Sequence, residues 1–127
     1  MMEIDVKELT TYRISEDGET VAVRLKDGAG IETSLSFPVA ALGNLVMTLP
    51  GVIEAALQRQ FRDAAFRYAY PVGSWSVEEA ADPGAVIVTL RTVDGFGVSF
   101  SMGRGNAEKL GYSMAGWVAK PSAFTAH

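Results

Sequence analysis

One stretch of this chain occurs twice at a fixed spacing, and that repeat constrains the fold more than any other feature. Residues 21–37 (VAVRLKDGAGIETSLSF) return 65 positions later as residues 86–102 (VIVTLRTVDGFGVSFSM), with no gap needed. Val21, Val23, Leu25, Gly30, Ser34 and Ser36 recur as Val86, Val88, Leu90, Gly95, Ser99 and Ser101. Lys26 is matched by Arg91, and Leu35 and Phe37 by Phe100 and Met102. Each copy alternates apolar and polar residues around a glycine-containing turn, the pattern of a half-buried β-hairpin.

The parity of the apolar residues selects the loop. A two-residue Asp27-Gly28 loop sets Leu25 opposite Gly30 and Val23 opposite Glu32, mixing apolar and charged side chains on one face. An odd loop of three or five residues aligns Leu25 with Ile31, Val21 with Leu35, and Arg24 with Glu32 on the outer face. Because a one-residue slip flips a whole face, the odd loop is expected. In the second copy it groups Val86, Val88 and Leu90 with Phe96, Val98 and Phe100.

Around the repeat, Tyr12 and Ile14 alternate with polar neighbours over residues 10–15, and Trp75 and Val77 do so over 74–79, adding a strand before each hairpin. Pro38 suits a first helical turn. Leu42, Leu45, Val46 and Leu49 follow at helical spacing, and Pro50-Gly51 is expected to break that helix. A second helix is expected to run to about Arg67, with Ile53, Leu57, Phe61, Ala64 and Tyr68 as its apolar stripe. Arg59–Asp63 and Asp63–Arg67 would support it at i,i+4. Asn106 is the expected N-cap of the last helix, with Ala107, Leu110, Met114 and Trp117 inward.

The expected fold is α+β, a duplicated β-β-β-α unit: two antiparallel three-stranded meanders, each followed by helix, in one pseudo-twofold domain spanning residues 1–127. The halves run approximately over residues 10–68 and 70–118, and residues 119–127 form a loose tail. A half of about 60 residues is marginal alone. The halves are expected to share a core, either as a six-stranded sheet or packed about the pseudo-twofold axis.

Composition excludes several chemistries. There is no cysteine, and the one histidine, His127, is the last residue. Thiol catalysis, a thiolate metal site, a triad or an imidazole base therefore has no material. Carboxylates do not cluster: Glu78 and Glu79 are adjacent on a strand and point to opposite faces. No metal and no cofactor is expected. A net charge of −4 argues against nucleic acid. Residues 33–53 lack a charge, but Pro38, Asn44, Thr48 and Pro50 interrupt them, so no membrane span is expected. The acidic start lacks a signal-peptide pattern, and the expected location is the cytoplasm.

Few residues invite a functional assignment. Gly103, Arg104 and Gly105 lie between a strand and a helix, where backbone amides can hold an anion. Glu108 stands at the third dinucleotide-motif position, however, and two glycines easing a tight corner explain the triplet. Arg59, Arg62 and Arg67, with Arg104 near, form a candidate basic patch for an acidic ligand or partner. Tyr68, Tyr70 and Trp75 gather where the halves join, a candidate lining for a cleft.

The leading expectation is a small non-catalytic binding or assembly module acting through protein–protein contacts and self-association, with a separate protein partner also open. The alternative is a small-ligand-binding domain or weak enzyme with its cleft at the junction of the halves.

Overall fold

In the computed structural model, which describes residues 1–121, the chain forms two antiparallel three-stranded sheets, each followed by a helix. The first unit, residues 1–68, holds β1 (Val6–Ile14), β2 (Thr20–Asp27), β3 (Glu32–Pro38) and α1 (Val39–Phe61). The second, from residue 69, holds β4 (Val72–Glu79), β5 (Ala85–Thr92), β6 (Gly97–Gly103) and α2 (Arg104–Ala119). The strands pair in chain order within each sheet, so the six-stranded alternative is not realised. Of the expected tail, residues 122–127 lie outside the described residues.

The duplication extends into the backbone hydrogen bonds. Asp27 N–H donates to Ile31 O and Gly30 N–H to Asp27 O, and the same bonds join Thr92 to Phe96 and Gly95 to Thr92. Gly30 and Gly95 hold φ of +84° and +95°, the left-handed residue that closes a three-residue hairpin loop. The side chain at the loop entrance caps it in both copies: Asp27 Oδ1 accepts from Ile31 N–H, and Thr92 Oγ1 from Phe96 N–H. At the strand-to-helix corner, Val39 N–H donates to Glu19 O at 2.9 Å and Arg104 N–H to Gly84 O at 3.0 Å. Each of these pairs is offset by the same 65 residues as the repeat.

The hairpin loop is odd, as parity requires, but its register is two residues away from the expected one. Val21 faces Phe37, Val23 faces Leu35 and Leu25 faces Thr33, while Glu32 lies opposite Lys26 rather than Arg24. In the second copy Val86 faces Met102, Val88 faces Phe100 and Leu90 faces Val98. Placing the left-handed turn residue at the glycine moves the hairpin centre one residue along, which shifts every partner by two and leaves the faces unchanged. The added strands complete the apolar faces. Tyr12 and Ile14 join Val23 and Val21, and Trp75 and Val77 join Leu90 and Val88.

The helices depart further from expectation. Residues 39–61 form one helix that carries Pro50 within it. Proline removes one amide and one i→i−4 bond; on an exposed helix, water can take the freed carbonyl. Thr48 Oγ1 donates to Asn44 O just before that point, at 2.8 Å. The helix stops at Arg62, whose φ of 53° is left-handed, and Asp63 N–H reaches back to Gln58 O. Asp63 then heads a turn, its Oδ1 accepting from Ala65 N–H, so the expected helix to Arg67 and its i,i+4 pairs do not form. In the second unit α2 begins at Arg104 with Gly103 as N-cap, and Asn106 falls inside the first turn.

Neither helix covers its own sheet. Helix α1 meets β2 and β3, and α2 meets β5 and β6, with no contact to β1 or β4 among the described residues. Leu25, at 9% exposure, and Thr89, at 4%, are the buried residues among those described. Leu110, Met114 and Trp117, expected to face inward, are exposed, as are Tyr12, Ile14, Trp75, Val77 and Phe100 on the sheets. Helix α1 has no buried residue, and by length and composition it is apolar enough to cross a membrane.

Candidate functional site

The arginines singled out from sequence take separate roles. Arg104 is bound into its own corner: its Nε donates to Pro83 O at 2.7 Å and its Nη2 lies 3.6 Å from a Glu79 carboxylate oxygen. It thus holds the β4–β5 turn to the start of α2, which is the glycine-corner explanation with an ion pair added. Arg59 lies in the last turn of α1, where a cation suits the helix dipole. Arg62 is the left-handed C-cap. Arg67 donates to the neighbouring Phe66 O at 3.4 Å. Their positions are those of a helix ending, and Arg104 belongs to the other unit.

The segment after α1 folds back on it. Gln58 Nε2 donates to Phe66 O at 3.0 Å, and Glu54 Oε1 accepts from Tyr68 N–H at 3.1 Å. Glu54 and Gln58 are one helical turn apart and project together, so two polar side chains clamp residues 66–68. The Phe61 and Phe66 rings meet at a tilt alongside, centroids 5.4 Å apart. Of the aromatics, Tyr68 thus ends the first unit, whereas Tyr70 and Trp75 belong to the second. Tyr70 rests on Phe96 at 5.6 Å. Trp75, 72% exposed, lies on the apolar face of the second sheet in register with Leu90.

A group that sequence reading missed lies on the polar face of the first sheet. Arg13 pairs with Ala22 and Thr11 with Arg24 across β1 and β2, and Ser34 on β3 lies opposite Arg24. Alternation puts these side chains on the face opposite Tyr12 and Val23. Thr11, Tyr12, Arg13, Ala22, Arg24 and Ser34 line a shallow groove of about 250 Å³. Among the described residues, neither guanidinium makes an ion pair or a hydrogen bond. The signal was present in sequence: Arg24 alternates with Val23 and Leu25, and Arg13 lies between Tyr12 and Ile14. Only the β1–β2 register brings the two together.

The acidic residues give no comparable site. No three of His, Asp and Glu gather at metal-binding range among the described residues. The Asp17 carboxyl is held below the ordinary aspartate range by the Ser15 hydroxyl donating to it at 2.7 Å and by Glu19 N–H at 3.0 Å. Both are turn contacts. No protein-family model matches the chain, and neither a curated protein nor a solved structure does.

Proposed function

We propose that this chain is a small non-catalytic, cytoplasmic assembly module that works through protein–protein contacts and is completed by copies of itself. The observation that carries this reading is the set of apolar faces its helices leave uncovered. Tyr12, Ile14, Trp75, Val77 and Phe100 are all more than half exposed. Fully burying an apolar side chain is worth about 1.5–3 kcal/mol, of which each of these forgoes roughly half or more, against a typical total stability of only about 5–15 kcal/mol. Contiguous apolar patches on this scale mark interaction surfaces. Helix α1 adds a stripe of Leu42, Leu45, Leu49, Val52 and Ala56, spaced alternately three and four apart, the seam of a paired helix. Its Glu54 and Gln58 already hold chain segment 66–68, which favours a protein environment for α1 over a lipid one. The lack of cysteine and of an internal histidine supports the non-catalytic part.

Sedimentation and light scattering at tens of micromolar test the reading. The expected result is a homo-oligomer whose thermal midpoint rises with protein concentration, since association stabilises by mass action. Val23→Asp and Val88→Asp, each placing a charge at the centre of one apolar face, should dissociate it. A strict monomer with a concentration-independent midpoint would show that the faces are covered within one chain and overturn the proposal. Recovery of the chain in alkali-resistant membranes would do the same.

A further inference from the structure

We infer that the polar face of the first sheet, centred on Arg13 and Arg24, binds a phosphate group carried by a small molecule. The groove there has a volume of about 250 Å³ and is lined by both arginines and the hydroxyl-bearing Thr11 and Ser34, with the small Ala22 between them. Two guanidinium forks and two hydroxyls supply more donors than one carboxylate can accept. A phosphate, with several terminal oxygens and up to two charges, matches them, and arginine is the side chain suited to holding it bidentately.

The charges around the groove are arranged to leave the pair uncompensated. Lys26, in the next outward-facing row of the sheet, has Glu8 and Glu32 as its register partners. Arg13 has Ala22 as its partner, with Ser36 beyond it in the same row, and Arg24 has Thr11 and Ser34. In a chain of net charge −4, two adjacent cations with no acidic neighbour in register are a local reversal of the overall field.

The second sheet supplies an internal control. At the same places in its register stand Glu78 for Arg13, Ser76 for Thr11, Thr89 for Arg24 and Ser99 for Ser34. There Thr89 is buried and shares a 2.7 Å hydrogen bond with Ser99. One copy of the frame thus ties its central polar pair together, and the other opens a groove lined with free cations.

Titration of the whole chain with inorganic phosphate, followed by amide and arginine Nε resonances, tests the inference. Acetate at matched ionic strength is the control. The expected result is a saturating shift of Arg13, Arg24, Thr11 and Ala22 with a dissociation constant on the order of 1 mM or tighter, and a weaker response to acetate. Arg24→Thr, which installs the residue of the second sheet, should weaken phosphate binding about tenfold or more. Arg24→Lys, which keeps the charge and loses the fork, should fall between and serves if the threonine variant does not fold. Absence of saturation at tens of millimolar, an equal response to acetate, or binding unchanged in the Arg24 variants would each overturn it.

Discussion

The two units share a frame and differ in what hangs on it. Both close the hairpin with a left-handed glycine, cap the loop with the side chain at its entrance, and tie the first amide of the helix to the residue before the central strand. Both gather valines, a leucine and aromatics on one sheet face. The opposite faces diverge: arginines and an open groove in the first unit, a hydrogen-bonded Thr89–Ser99 pair in the second. The helices diverge as well, since α1 is a long apolar rod of 23 residues and α2 a 16-residue segment containing Gly105, Gly111 and Gly116. What the copies retain is the backbone solution to a strand–turn–strand–helix path. What they vary is the chemistry of the polar sheet face and of the helices.

The central leucines offer the largest contrast. Leu25 is nearly buried and its counterpart Leu90 is 39% exposed. Leu25→Ala is expected to cost about 2–3 kcal/mol and Leu90→Ala about 1 kcal/mol, read from urea denaturation in dilute solution. A Leu90→Ala loss that grows with protein concentration until it matches Leu25→Ala would mark the second face as the one covered on assembly. Equal losses at all concentrations would break the contrast.

A smaller effect tests the likeness of the frames. Gly30→Ala and Gly95→Ala each force an L side chain into the left-handed region and should cost about 1–2 kcal/mol, equally in the two hairpins, although neither site is crowded. A cost at one and none at the other would show that the loops are not equivalent.

The smallest concerns the β1–β2 and β4–β5 turns. Asp17 and Asp82 each accept from the amide two residues on, at 3.0 Å, but only Asp17 also accepts from a serine. Its folded pKa is lowered, so its contribution is fully present above the ordinary aspartate value and is lost as pH falls through the lowered one. Protection of the Glu19 and Thr20 amides from exchange, taken relative to their intrinsic rates, should therefore fall only on acidification through that window. Ser15→Ala should raise the Asp17 titration midpoint towards the ordinary range, as followed by carboxyl resonances.

The elements whose neighbours are close in sequence are legible in the residues themselves. Strand order, the odd loop and the helix after each hairpin all follow from alternation, turn residues and helical spacing within and immediately beside residues 21–37 and 86–102. The register escaped by two because parity fixes which face a side chain takes and not its partner; Gly30 and Gly95 decide that through their φ. By residue type Pro50 signals a helix break, yet an exposed helix can spare one hydrogen bond. Arg62 ended the helix in a left-handed conformation that nothing in its residue type announces. The Arg13 and Arg24 groove depends on two strands meeting, and the periodicity of either strand alone shows one cation pointing outward. The covering of the apolar faces depends on what lies against them, which no local pattern encodes.

The corner bond from Val39 to Glu19 and its counterpart from Arg104 to Gly84 have a consequence for how the chain acquires its structure. Each bridges 20 residues and closes a circuit of strand, turn, strand and helix start. Every sheet pairing likewise joins consecutive strands. Such low contact order makes loop-closure entropy small and strand formation fast, and the first circuit can close before the second has been synthesised. In the proposed assembly, the sheets then form in a unimolecular step set by local sequence. Covering their apolar faces is a later, bimolecular step whose rate scales with concentration. Dilution should therefore slow completion of folding while leaving its first phase untouched.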